Sequence, residues 1–107
     1  MDHLMSGKEA LPGSQPTSTW TFFTNHAHVL FCLAQNPDLQ LRHVAERVGI
    51  TERAAQRIVH ELENDGYIQI RREGRRNHYE LIVDRPLRHP VEQDHTVKQL
   101  LEFLFSE

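Results

Sequence analysis

The chain has 107 residues, of which 38% are hydrophobic and 25% charged, with a formal net charge of −3 and a pI of about 6.2. This describes one ordinary domain with tails and a small core, and the acidic balance argues against a non-specific nucleic-acid binder. The apolar runs are only a few residues long and do not follow a basic start, so neither a membrane span nor a leader is expected; the single cysteine, Cys32, excludes an intrachain disulfide framework and suits a reducing cytosol.

Residues 1–18 hold Gly7, Pro12, Gly13 and Pro16 among Ser and Thr with no period, and read as a flexible tail. "TWTFF" (19–23) is apolar and fits either extended chain or the first turn of a helix. From Thr24 the pattern is helical, with Ala27, Leu30, Phe31 and Ala34 on one face and Thr24 or Asn25 as N-cap. Asn36-Pro37 ends it, because the residue before proline avoids the α region. "DLQL" (38–41) alternates and is expected to form a minimal strand. A short helix then runs to Val48 with Leu41, Val44, Ala45 and Val48 inward.

"VGITERAAQRIV" interrupts this pattern. Gly49 suits the left-handed position after a helix end, Thr51 suits an N-cap, and Ile50 and Ala55 occupy the positions of a hydrophobic staple. The next helix carries Ala55, Ile58, Val59 and Leu62 at helical spacing and ends near Asp65, with Gly66 as stop. The period then changes to two. Ile68 and Ile70 share a face, as do Tyr79, Leu81 and Val83, and "REGRRN" (72–77) makes the polar turn of a hairpin. "DRPLRHP" (84–90) has two prolines and reads as a linker. Residues 91–107 form a last helical segment with Val97, Leu100, Leu101 and Leu104 on one stripe.

Two short amphipathic helices joined by a three-residue turn with Gly make the helix-turn-helix pattern. The second helix would present Thr51, Glu52, Arg53, Gln56, Arg57 and His60 to a DNA major groove. There Arg can contact guanine and Gln adenine with two hydrogen bonds each. The hairpin tip carries Arg72, Arg75 and Arg76, followed by Asn77, and suits phosphates or a narrow minor groove. Charge supports this placement: residues 41–81 hold eight bases against seven acids, whereas the segments on either side are net acidic.

"LRHVAERVGITERAAQRIVHELENDGYIQIRREGRRNHYEL" resembles the winged helix-turn-helix core of bacterial regulators of the MarR/ArsR type. The resemblance covers residues 24–83 and, more loosely, the helix after Pro90. It implies an α+β fold, with a three-helix core, a β-hairpin wing and an additional C-terminal helix. It also implies sequence-specific binding to double-stranded DNA as a homodimer, in the cytoplasm at the bacterial nucleoid. The domain is expected over residues 19–83, with dimerisation through Val97, Leu100, Leu101 and Leu104.

Other chemistries find less support. His26 and His28 would point about 200° apart on a helix and so do not chelate together. "HPVEQDH" (89–95) evokes the zinc ligands on the last helix of some ArsR-like sensors, but only Glu102 follows Asp94 and His95 as a further ligand. No metal or other cofactor is expected. Cys32, in "VLFCLA", reads as a core residue rather than a redox sensor. No nucleophile–base set, P-loop or dinucleotide fingerprint occurs, so no enzymatic activity is expected. Trp20, Phe22 and Phe23 read as core or subunit contact, with a small-molecule effector pocket against the last helix as the alternative. The rival functions are a winged-helix module that binds an acidic protein partner, and a metal- or redox-sensing repressor.

Overall fold

The structure, a computed structural model, describes residues 20–106. The expected tail at 1–18 lies outside them. Three helices come first: α1 (Asn25–Gln35), α2 (Leu41–Val48) and α3 (Glu52–Asn64). An antiparallel hairpin follows, β1 (Ile68–Glu73) and β2 (Arg76–Leu81), and α4 (Val97–Phe105) ends the described chain. This is an α+β winged helix-turn-helix fold with an added C-terminal helix.

Each helix starts and stops for a local reason. The Thr24 hydroxyl accepts the Ala27 N–H at 3.3 Å and caps α1, so 20–24 stays non-helical. Asn36 turns extended before Pro37, as the proline requires. The face that α1 buries is Val29, Leu30, Cys32 and Leu33, not the expected Ala27, Leu30, Phe31 and Ala34. With apolar side chains on most of its circumference, spacing alone could not orient this helix.

The expected strand at 38–41 does not form. Asn36 Oδ1 accepts the Asp38 N–H at 3.1 Å, and the Leu39 N–H returns to the Asn36 carbonyl, so a turn takes its place. That turn still meets the hairpin, because the Tyr79 N–H donates to the Pro37 carbonyl at 2.9 Å. Gly49, at φ 88°, ends α2, and the Ile50 N–H closes on the Ala45 carbonyl. Thr51 then caps α3 by accepting the Ala54 N–H at 3.0 Å. At the far end Gly66 adopts φ 84°, and the Tyr67 and Gly66 N–H groups bond the carbonyls of Leu62 and Glu63, a Schellman motif.

The hairpin pairs Ile68 with Leu81 and Ile70 with Tyr79 on its inner face, as the alternation predicts. Val29, Leu33, Val44, Ile58, Ile68 and Val97 lie at the centre of the core, each at most 2% exposed. A helix is present near the C-terminus but begins at Val97, not at 91. Residues 91–94 form turns, and Thr96 and Gln99 form a capping box that sets the start. The segment before it is tied to the core. Tyr67 donates its hydroxyl to the Pro86 carbonyl at 2.6 Å, Arg85 lies over the Tyr67 ring, and the Leu87 N–H reaches the His95 carbonyl.

Two side-chain ties brace α1: His26 Nε2 lies 2.6 Å from Glu61 Oε1 on α3, and Arg47 of α2 donates to Gln35. The His26 hydrogen bond, aided by the charge of Arg57, holds the Glu61 carboxyl below the usual glutamate value of 4.5. A carboxyl held low stabilises the fold above its unfolded-state value, and that contribution is lost as pH falls through the lower folded value. His26→Ala should therefore make stability fall less steeply with acidification below 4.5, read from urea melts across a pH series. The effect will be small, since Glu61 is half-exposed and screened. A Cβ added at Gly49 would meet nothing within 4 Å, so Gly49→Ala isolates the backbone cost. We expect a loss of about 1–2 kcal/mol, with a lower urea midpoint and unchanged slope.

Candidate nucleic-acid interface

Two exposed polar surfaces make up the candidate interface: the outer face of α3 and the hairpin tip, which share a groove at Glu52. Burial of Ala55, Ile58, Val59 and Leu62 orients α3, and the same rotation leaves Thr51, Glu52, Arg53, Gln56, Arg57 and His60 all exposed. The six form one continuous polar face carrying no large apolar side chain. Arg53 and Gln56 project freely from the first two turns. Arg57 is 60% exposed, and its guanidinium lies 3.5 Å from Glu61, one turn on. That contact steers the arginine without burying it.

The expected four-residue wing is resolved into distinct roles. Gly74 and Arg75 are the two residues of the turn, and Gly74 has φ 65°. Positive φ at the first turn position is the geometry of a type II′ hairpin, which needs glycine there. Arg75 therefore stands at the extreme tip and Arg76 begins β2, both exposed. Arg72 lies on the strand opposite Asn77, and its Nε donates to the Gly74 carbonyl at 3.3 Å, bracing the turn. Asn77 is half-buried and donates to the Tyr79 hydroxyl. Arg71 is held by Glu73 and Glu80 at 3.3 and 3.4 Å. The free cationic ends of the wing are those of Arg75 and Arg76.

Between wing and helices lies a groove of about 460 Å³, bounded by Gln40, Arg42, Glu52, Arg75, Arg76 and Asn77 among others. Arg42 and Gln40, at the start of α2, also border the groove, a role that the inward apolar spacing of that helix does not report. The sequence signal was an arginine at the second helical position, where a side chain points toward the N-terminal end. Of the recognition-face residues only Glu52 lines this groove; Thr51, Arg53, Gln56, Arg57 and His60 are exposed outside it.

The wing is set against the helices by the Tyr79–Pro37 backbone bond and by His78, whose Nδ1 lies 2.8 Å from Asp38 Oδ1. Glu73 lies near this pair, and ligand-type atoms of Asp38, Glu73 and His78 fall within 4.8 Å of one another. The histidines considered for metal binding have separate partners. His26 meets Glu61, His28 meets Asn25, His89 accepts from the Val91 N–H, and His95 meets Gln99. Cys32 is buried in α1, and burial raises its thiol pKa more than nearby Arg47 lowers it, which disfavours a reactive thiolate.

The last-helix stripe divides. Val97 is 1% exposed in the core, Leu101 packs against that core, and Leu100 and Leu104 are half-buried. Phe103, outside the expected stripe, is 83% exposed. Phe31 makes edge contacts with both Phe23 and Phe105, joining the segment before α1 to the end of α4. Among the described residues, no helix is long and apolar enough to cross a membrane.

Comparison with curated proteins finds no match to the chain. Residues 24–69 match the family model described as winged helix-turn-helix DNA-binding, a span from the cap of α1 to the second residue of β1. Residues 24–69 are thus similar to that DNA-binding family, and the hairpin over 68–81 completes a winged helix-turn-helix fold.

Proposed function

We propose that the protein is a sequence-specific transcriptional regulator of the MarR/ArsR-like type, binding double-stranded DNA as a homodimer at the bacterial nucleoid and answering to a small-molecule effector. The observation that carries the reading is the outer face of α3. Thr51, Glu52, Arg53, Gln56, Arg57 and His60 are exposed together, beside a tip bearing Arg75 and Arg76. A protein-docking face of that size would present a large apolar anchor near its centre, and this one has none. Arg53, Gln56 and Arg57 read bases; Arg75, Arg76 and Arg42 hold phosphates.

Selection from a random DNA library tests the reading by yielding a preferred motif. On that motif, Arg53→Ala, Gln56→Ala and Arg57→Ala should each cost about 1–3 kcal/mol and relax preference at one or two base pairs. Unchanged affinity and motif in all three would remove α3 from the interface. Replacing Arg75 and Arg76 together with Ala should weaken binding to all sequences alike and reduce the salt slope by roughly two phosphate contacts.

The dimer draws on Leu100 and Leu104, with Val97 and Leu101 supporting them from beneath. Exposed Phe103 adds apolar surface on the same helix. A two-fold pair would set two recognition helices about 34 Å apart, one turn of DNA. Changing Leu104 and Phe103 to Lys should halve the molar mass seen by light scattering and weaken binding to a palindrome. A wild-type monomer at micromolar concentration that binds one half-site would overturn the dimer.

A further inference from the structure

Between α1, the end of α3 and the start of α4 lies a second hollow, of about 530 Å³. Its floor is apolar: Ala27 and Leu30 of α1, Leu62 of α3, the Tyr67 ring, and Leu87, Val97 and Leu100. Trp20, Phe22 and Phe23, the aromatic residues considered for an effector pocket, do not line it. The volume is that of a small-molecule site, and the lining follows the same rule, apolar walls with a few converging polar groups.

Those polar groups decide the ligand class. The rim carries Glu61, Asp65 and Glu92 against His26 and Arg88. Arg88 and Asp65 satisfy each other at 2.7 Å, so they cancel. Glu61 is already met by His26 at 2.6 Å and by Arg57 at 3.5 Å, which leaves Glu92 as the rim carboxylate with no ion-pair partner among the described residues. An apolar body would fill the floor, and a positive charge would meet Glu92 at the mouth; an anion would meet it as repulsion. We propose that this hollow binds an amphipathic organic cation, with Glu92 facing its charge. The proposal deepens the effector part of the reading above, and it is tested on protein without DNA, so its failure is separate from failure of DNA binding.

The test is calorimetric titration with tetraphenylphosphonium and with tetraphenylborate, ions of closely similar shape and opposite charge. The cation should bind roughly tenfold more tightly than the anion, as an unpaired carboxylate beside an apolar floor implies. Glu92→Gln should bring the two affinities together. Ala27→Trp, which fills the hollow, should abolish binding while the circular dichroism spectrum stays native. Equal or tighter binding of tetraphenylborate to the wild type would overturn the proposal. So would absence of binding by either ion, and a dimer made monomeric by Ala27→Trp would then assign the hollow to a second copy of the chain.

Discussion

The conformation of three residues, Gly49-Ile50-Thr51, governs the rest of the molecule. Gly49 enters the left-handed region and lets the Ile50 N–H close α2 on the Ala45 carbonyl. Thr51 returns at once to extended backbone and accepts the Ala54 N–H, so α3 starts at the next residue in a new direction. A continuous helix through this point would carry Ala55, Ile58, Val59 and Leu62 away from Val29, Leu33 and Val44, and the core would not close. The bend that closes the core is also the bend that turns Arg53, Gln56 and Arg57 outward. Stability and the candidate interface thus share one cause, and a strain at Gly49 would be felt by both.

The wing depends on a parallel set of constraints at the opposite end of α3. Gly66 turns the chain out of the helix, and its Schellman bonds place Tyr67 and Ile68 against the core. From there the register is forced, because a slip of one residue would turn out the inward pair of the strand that slipped, Ile68 and Ile70 or Tyr79 and Leu81. A two-stranded hairpin is marginal alone. This one is held from the side by the Pro37 carbonyl and Asp38, and from below by the core, so its arginines project from a braced support.

Much of this was legible in the residues. The break at Gly49, both ends of α3, the two inner faces of the hairpin and the exposure of the six recognition-face residues all follow from local chemistry and period. What was not legible depended on partners distant in sequence. The buried face of α1 is chosen by what surrounds a helix apolar on most sides, which spacing cannot report. "DLQL" alternates like a strand, but the Asn36 side chain makes a turn that competes successfully with it. The start of α4 is encoded locally, because Thr96 and Gln99 stand at capping-box spacing. The separate duties of Arg71, Arg72 and Asn77 could not be told from those of Arg75 and Arg76 until pairing showed which strand face each occupied.

An acidic chain carrying a DNA-binding fold raises a question of balance, and the ion pairs answer it. Arg57 is accompanied by Glu61, and Arg71 by Glu73 and Glu80. Each carboxylate reduces the long-range pull on phosphates, and each also limits the rotamers of the arginine beside it. Non-specific affinity scales with the number of unpaired cations laid on the backbone, whereas discrimination scales with the precision of a few base contacts. On the proposed reading, pairing lowers the first while preserving the second. On that same reading, the ratio of specific to non-specific binding would exceed what the modest positive surface suggests. Glu61 has the most connected place in that scheme: it touches Arg57 on the outer face, His26 on α1 and the rim of the second hollow. A group bound in that hollow would therefore act on a carboxylate that already positions a recognition-face arginine, with no rearrangement of the core between them.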